Sequence, residues 1–322
     1  MNMLRGIASL RNPVLDAFFS LITHLGEETV FLALAIFIFW CVNKREGYFI
    51  LITGLVGTVM NQALKMIFRI PRPWVIDPEF DVIDSAIEEA TGYSFPSGHT
   101  QNIAGTFGAI AAYNRRRSVT VFCVVIILLV AFSRLYLGVH TLLDVGVSLL
   151  LALLLVVALR PAFSTEERFH KCMPIISVVG VLLTVAHFVF ILVISSDTTL
   201  DPGNLESAIK NAATLLGATA GLIPVYYLDR RFIKFETSAP WYSQILKLLL
   251  GLCGVLLIKS GLSTPLTLLF GNEYAARAVR YFLIVLFAGI IWPMTFRRFA
   301  NLRIVALDRF GNKISALIRP RK

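Results

Sequence analysis

The stretch 119-VTVFCVVIILLVAFSRLYLGVHTLLDVGVSLLLALLLVVALR-160 sets two apolar runs, 119–136 and 142–160, on either side of a turn carrying Ser133, Arg134, His140 and Asp144. A helix needs about 20 apolar residues to cross roughly 30 Å of hydrocarbon. Each run is long enough, so the pair reads as a membrane-spanning helical hairpin. An ionisable side chain at membrane depth is costly and marks a candidate functional position. Here Arg134, His140 and Asp144 gather at one end of the hairpin.

Outward from this hairpin, further apolar runs lie at 28–42, 47–68, 98–113, 174–195, 205–228, 243–261 and 277–296, making nine in all. The whole chain of 322 residues is 57% hydrophobic and 16% charged, too apolar for a soluble protein that must wet its surface. The sequence therefore predicts an all-α fold, a polytopic membrane helical bundle. The segment from Val14 to Leu25 is apolar but short, and fits an interfacial helix, a re-entrant one or part of a tenth span. Met1 to Arg11 lacks the apolar core and small-residue cleavage site of a signal peptide, so the first apolar segments are expected to be retained. Cys41, Cys123, Cys172 and Cys253 stand singly in or beside apolar runs and read as packing residues.

The net charge of +10 does not point to nucleic acid, because the basic residues fall in short clusters between apolar runs. Every second loop is basic: Asn43-Lys44-Arg45, Arg115-Arg116-Arg117, the stretch with Arg160, Arg168 and Lys171, then Arg230-Arg231 with Lys234, and the tail from Arg297. From Pro73 to Asn114 there is no Lys or Arg, while Asp77, Glu79, Asp81, Asp84, Glu88 and Glu89 crowd one connection. Cytoplasmic loops carry the excess of Lys and Arg. The connections at 69–97, 134–141, 195–204 and 261–276 are thus expected outside, with a short surface helix over Asp84 to Ala90.

Three polar clusters share that outer end: Lys65 with Arg72-Pro73, then Pro96-Ser97-Gly98-His99, then Ser133-Arg134 with His140 and Asp144. Singly, Lys65 or Arg134 could snorkel to the interface, and Arg69 is read that way. Together the clusters define a site. His140 and Asp144, four apart at a helix start, project from one face, so the carboxylate can hold one ring nitrogen and leave the other free to attack. His99 opens a helix behind Ser97 and Gly98, where unpaired N–H groups favour an anion, and it can act as a general acid. Lys65, Arg72 and Arg134 supply three cations suited to a phosphoryl group. Pro71 and Pro73 are expected to end the preceding helix near Arg69 and turn Arg72 toward the loop. Elsewhere, Glu206 with Lys210 reads as an i,i+4 structural pair and His187 as a hydrogen-bonded packing residue, while His24 and His170 carry no functional signal.

The clusters match, without a departure, the K-x6-RP, PSGH and SR-x5-H-x3-D signature of the type 2 phosphatidic acid phosphatase superfamily, which the chain resembles over about Leu51 to Arg160. The resemblance implies a six-helix phosphatase core within 1–160, leaving about four additional C-terminal transmembrane helices over 161–300 and a basic cytoplasmic tail over 301–322. It implies His140 as a nucleophile forming a phosphohistidine, Asp144 as its orienting partner and His99 as general acid. Phosphate binding falls to Lys65, Arg72, Ser97, Gly98 and Arg134. No metal or cofactor enters such a scheme. The superfamily includes lipid phosphate phosphatases, undecaprenyl diphosphate phosphatases, glucose-6-phosphatases and soluble vanadium haloperoxidases. The expected substrate is a lipid phosphate or diphosphate reached laterally from the bilayer: phosphatidic acid, phosphatidylglycerol phosphate, a sphingoid phosphate or undecaprenyl diphosphate. The expected location is a plasma membrane, with the site on its non-cytoplasmic face. Two alternatives are a transporter with an ancillary phosphatase site, and a sugar-phosphate phosphatase resembling glucose-6-phosphatase.

Overall fold

The computed structural model describes residues 1–87, 90–304 and 307. The expected basic tail over 301–322 falls almost wholly outside the described residues. The helices are Asn2–Ala8 (α1), Pro13–Thr23 (α2), Glu28–Phe37 (α3), Lys44–Phe68 (α4), the short turns Pro73–Ile76 (α5) and Asp84–Ile87 (α6), Gly98–Asn114 (α7), Arg117–Tyr136 (α8), Leu142–Leu159 (α9), Glu166–Ile194 (α10), Pro202–Leu228 (α11), Trp241–Gly261 (α12), Ser263–Phe270 (α13) and Glu273–Leu286 (α14). Every one of the nine apolar runs is helical, and there is no strand among the described residues. The chain is an all-helical, polytopic membrane protein.

Among the described residues, seven helices are long and apolar enough to cross a membrane, and eight if a bent pair is counted as one span. That pair contains the Val14 to Leu25 segment, which is α2 plus a 3-10 turn, bent by 55° from the segment Glu28–Val42. After residue 160 four spans follow, at Glu166–Ile194, Pro202–Ile233, Trp241–Phe270 and Glu273–Asn301. Before it, six arms are reached only by counting α2 apart from α3. The 17 residues of α7 make it about 25 Å long, short for the hydrocarbon. It is nonetheless central, packed against α4, α8 and α9.

Helix ends follow from local chemistry. Asn12, Asn43, Ser97, Thr141, Thr165 and Asp201 each cap a helix start by accepting a backbone N–H, and Thr141 with Asp144 forms a full capping box. Arg69 ends α4 in the left-handed conformation, φ 51°, two residues before Pro71, which cannot continue the helix.

Outward-facing Val121, Phe122, Leu128, Leu150, Leu153, Leu154 and Val157 give α8 and α9 a lipid-facing surface. Inside, one hydrophobic cluster joins the front of the chain to the later helices through Trp40, Tyr48, Phe49, Phe163, Phe169, Tyr226, Phe235 and Phe296. At the opposite end a second cluster gathers Leu4, Phe19, Phe80, Val82, Tyr136, Leu137 and Val139. The second cluster matters for the site, because the N-terminal helices and the 77–87 connection clamp the turn that bears His140. Arg11 reinforces it by donating to the Tyr136 carbonyl at 2.9 Å and the Asp81 carbonyl at 2.8 Å.

Arg69 does more than snorkel: its guanidinium lies 2.7 Å from Asp197, tying the end of α4 to the α10–α11 connection. The Thr199 hydroxyl and amide, together with Arg69, hold the Asp197 carboxyl down to about 2. Lys210 pairs with Glu206 at 2.7 Å as the spacing predicts, and also lies 3.6 Å from Glu273. His187 is buried, but neither ring nitrogen has a hydrogen-bond partner among the described residues, contrary to the hydrogen-bonded packing role expected of it.

Candidate active site

The last turn of α4, the loop after it, the start of α7, the end of α8 and the start of α9 meet at one end of the bundle. Three hydrogen bonds to backbone carbonyls bring the three sequence clusters together. Ser94 N–H donates to the Ile70 carbonyl at 2.8 Å, joining the first cluster to the second. Ser97 N–H donates to the Asp144 carbonyl at 3.2 Å, joining the second to the third. Ser148, one turn into α9 from Asp144, donates to the carbonyls of Ser97 at 2.9 Å and Asp144 at 2.8 Å. Gly138 completes the set: its φ of +83° is the left-handed conformation that lets the chain turn between Arg134 and His140.

His140 and Asp144 are 2% and 1% exposed, with Nδ1 and Oδ2 3.4 Å apart. Asp144 Oδ2 accepts the Thr141 N–H at 2.7 Å and the Ser94 hydroxyl at 2.6 Å. The other face of the imidazole meets Arg72, whose Nη1 lies 3.0 Å from Nε2. A guanidinium can only donate. Nε2 therefore carries the lone pair, and the proton sits on Nδ1, toward Asp144 and Ser94. Burial, then the cations of Arg72, Arg134 and Lys65, push the His140 imidazole well below its ordinary range, so it is neutral at physiological pH.

The three cations are held by backbone and hydroxyl oxygens. Arg72 donates to the carbonyls of Thr91 at 2.8 Å, Gly92 at 3.1 Å and Val139 at 3.1 Å. Lys65 donates to the Tyr93 carbonyl. Arg134, only 1% exposed, donates to Thr23 Oγ1 at 2.6 Å. Ser97 is the N-cap of α7 and Gly98 its first residue, so the helix N-terminus points at this end. His99 follows on α7 and lies in the field of Arg134, Arg72 and Lys65. Its backbone rests against Gly26, where a Cβ would come within 3.0 Å of the His99 carbonyl. All eight residues singled out from sequence thus lie at one end of the bundle.

Three further side chains belong to this arrangement without having been read from sequence. Ser94 bridges Asp144 and His140, at 2.6 Å from Oδ2 and 3.4 Å from Nδ1. Ser148 staples two clusters, and Thr23, from the bent pair, anchors Arg134. A serine or threonine in an apolar run is common, so none carries a signal of its own; only its place two residues before Pro96 could have drawn attention to Ser94.

Such a bundle, with a buried His–Asp pair facing three cations and a helix N-terminus, defines a membrane enzyme that handles phosphate. Comparison with known proteins agrees. Residues 45–168 match the model of the PAP2 superfamily, and residues 209–303 match that of the PAP2 superfamily phosphatase, transmembrane extension. Undecaprenyl-diphosphatase BcrC of Bacillus subtilis is 32% identical over 149 residues, covering 46% of this chain and 74% of that protein. Phosphatidylglycerophosphatase B of the same organism is 28% identical over 177 residues, covering 50% of this chain and 82% of that protein. Sphingosine-1-phosphate phosphatase 1 of Rattus norvegicus is 28% identical over 227 residues, covering 67% of this chain but 49% of that protein. The chain belongs to the PAP2 superfamily. It is a phosphate ester hydrolase embedded in the membrane, and relatives it matches are lipid phosphatases.

Proposed function

We propose that the protein removes phosphate from a lipid phosphate or diphosphate through a phosphohistidine at His140, at the outer surface of a plasma membrane. The observation that carries this reading is the tautomer: Arg72 faces Nε2 at 3.0 Å and Asp144 lies on the Nδ1 side, so the lone pair points at the cations.

In the first step the Nε2 lone pair attacks phosphorus, and the bond from phosphorus to the leaving oxygen breaks. The negative charge of the bound phosphate offsets the field of Arg134, Arg72 and Lys65, so that His99 takes up a proton with the substrate and gives it to that oxygen. Arg72 exchanges its N–H···N contact for a charge-assisted bond to a phosphate oxygen, while Lys65, Arg134 and the N–H groups at the start of α7 take the other oxygens. Asp144 keeps Nδ1–H oriented and stabilises the charge that develops on the ring. In the second step water attacks phosphorus, His99 takes its proton, and the N–P bond breaks to release phosphate and free His140.

The side of the membrane follows from charge. The site end adjoins connections poor in Lys and Arg between Pro73 and Asn114, and the opposite ends carry the basic clusters. A lipid tail in the bilayer with its phosphate at the surface suits a site built from helix ends. The names of the relatives supply the panel to assay: phosphatidylglycerol phosphate, sphingosine 1-phosphate and undecaprenyl diphosphate, with phosphatidic acid and glucose 6-phosphate beside them. Purified protein should release phosphate from a lipid member in preference to glucose 6-phosphate, and His140→Ala should abolish it. Phosphate release by His140→Ala at the wild-type rate would reject the reading, and preference for glucose 6-phosphate would reject the lipid.

A further inference from the structure

The helices α4 and α7 run antiparallel, and polar groups line their contact from the site inward. A Cβ on Gly98 would stand 4.0 Å from Asn61 Oδ1, one on Gly57 would stand 2.6 Å from Gln101 Nε2, and one on Gly105 would stand 3.5 Å from Thr53 Cγ2. On α4 the residues Thr53, Gly57, Asn61 and Lys65 are spaced by four, so they form one stripe. Lys65, a phosphate-site cation, is its last member.

Thr53, Asn61 and Gln101 are 0%, 2% and 3% exposed. Thr53 Oγ1, both amide atoms of Asn61 and both of Gln101 have no hydrogen-bond partner among the described residues. Leaving a buried polar group unsatisfied costs about 1–3 kcal/mol each, and native interiors rarely tolerate it. Five such atoms in one seam call for partners from outside the chain. For Thr53 and Gln101, deep between the helices, water is the partner of the right size and chemistry. Asn61 is different, because it sits one turn from Lys65 and beside Gly98, the residue that opens the phosphate-binding helix end.

We propose that Asn61 is a further phosphate-binding residue: its amide, whose Oδ1 lies nearest Gly98 in the ligand-free site, turns about its Cβ–Cγ bond so that the N–H donates to an oxygen of the transferred phosphoryl group between Lys65 and the N-terminus of α7. This rests on the reading of the site as a phosphohistidine phosphatase. A neutral donor there adds a hydrogen bond without adding a fourth cation to a site whose nucleophile must stay unprotonated. The amide oxygen is left to accept from the seam water.

The test uses the full-length protein, with orthovanadate inhibition and turnover of a short-chain phosphatidic acid as readouts. Asn61→Ala should raise both the inhibition constant for vanadate and KM at least tenfold while thermal stability holds or rises, since a buried orphan amide is removed. Asn61→Asp keeps the shape of the side chain but places a carboxylate against the phosphate, and should lose at least a hundredfold in turnover. Thr53→Val, two to three turns deeper in the same seam, should leave vanadate inhibition and turnover unchanged, which separates phosphate contact from repacking. Inhibition constants within twofold of wild type for both Asn61 variants would overturn the proposal while the reading of the site stands. A wild-type enzyme insensitive to vanadate, with His140→Ala still active, would overturn the reading and the proposal together.

Discussion

At the scale of single residues, the proposed mechanism turns on the charge state of His140. The sign is set by burial and the surrounding cations, which lower its proton affinity. A free histidine titrates near 6.5; here the imidazole stays neutral through that pH, and the nucleophile proposed above is protonated only further into the acid range. The acid limb of kcat/KM for the wild type is therefore expected well below pH 6.5. Over the same window the unfolded chain binds a proton that the folded site refuses, so stability falls as pH drops from about 6.5 toward the folded-state value. Ser94 tunes this balance. Its hydroxyl satisfies Asp144 Oδ2 at 2.6 Å; without it the carboxylate acts more strongly on a protonated imidazole. Ser94→Ala should lower kcat roughly tenfold, in the range seen when an orienting group is lost, and move the acid limb to higher pH. A kcat loss with an unmoved limb would reduce Ser94 to a packing role.

At the scale of elements, the nine apolar runs were legible because each is a long run bounded by charge, and the structure makes a helix of every one. The eight candidate site residues, which the structure brings to one end of the bundle, were legible for a related reason: Arg, Lys, His and Asp at the ends of apolar runs, or Ser-Gly at a helix start, are costly or conformationally specific. What escaped sequence reading acts across distance or through groups too common to stand out. Thr23 meets Arg134 across 111 residues of chain through the bend between α2 and α3. The Asn61 and Gln101 seam became visible only once α4 and α7 were seen antiparallel. Arg69 looked like a snorkelling residue because Asp197, its partner, lies 128 positions on. The charges at helix ends also carry the proposed orientation, which labelling can check. In a chain with its four cysteines replaced by alanine, Glu79→Cys should react with a membrane-impermeant maleimide in intact cells and Arg116→Cys should react only after lysis. Both side chains are exposed at opposite ends of the bundle, and the reverse pattern would place the site inside.

At the scale of the whole molecule, the catalytic end and the opposite end are built differently. The site end is held by hydrogen bonds and a modest apolar clamp over 77–87, while the far end is an aromatic cluster running from Trp40 to Phe296. That cluster unites the region matching the PAP2 superfamily with the transmembrane extension, and the ion pair of Lys44 with Asp229 at 2.7 Å adds to it. The extension thus packs against the end of α4 opposite to Lys65. The proposed mechanism requires one covalent bond, between phosphorus and His140. Rapid acid-free quenching of the enzyme with a 32P-labelled lipid phosphate should trap label on the protein that survives alkali, is released by mild acid and maps to His140, with none on His140→Ala. Label that maps elsewhere, or turnover of the labelled lipid with none trapped and His140→Ala fully active, would contradict it.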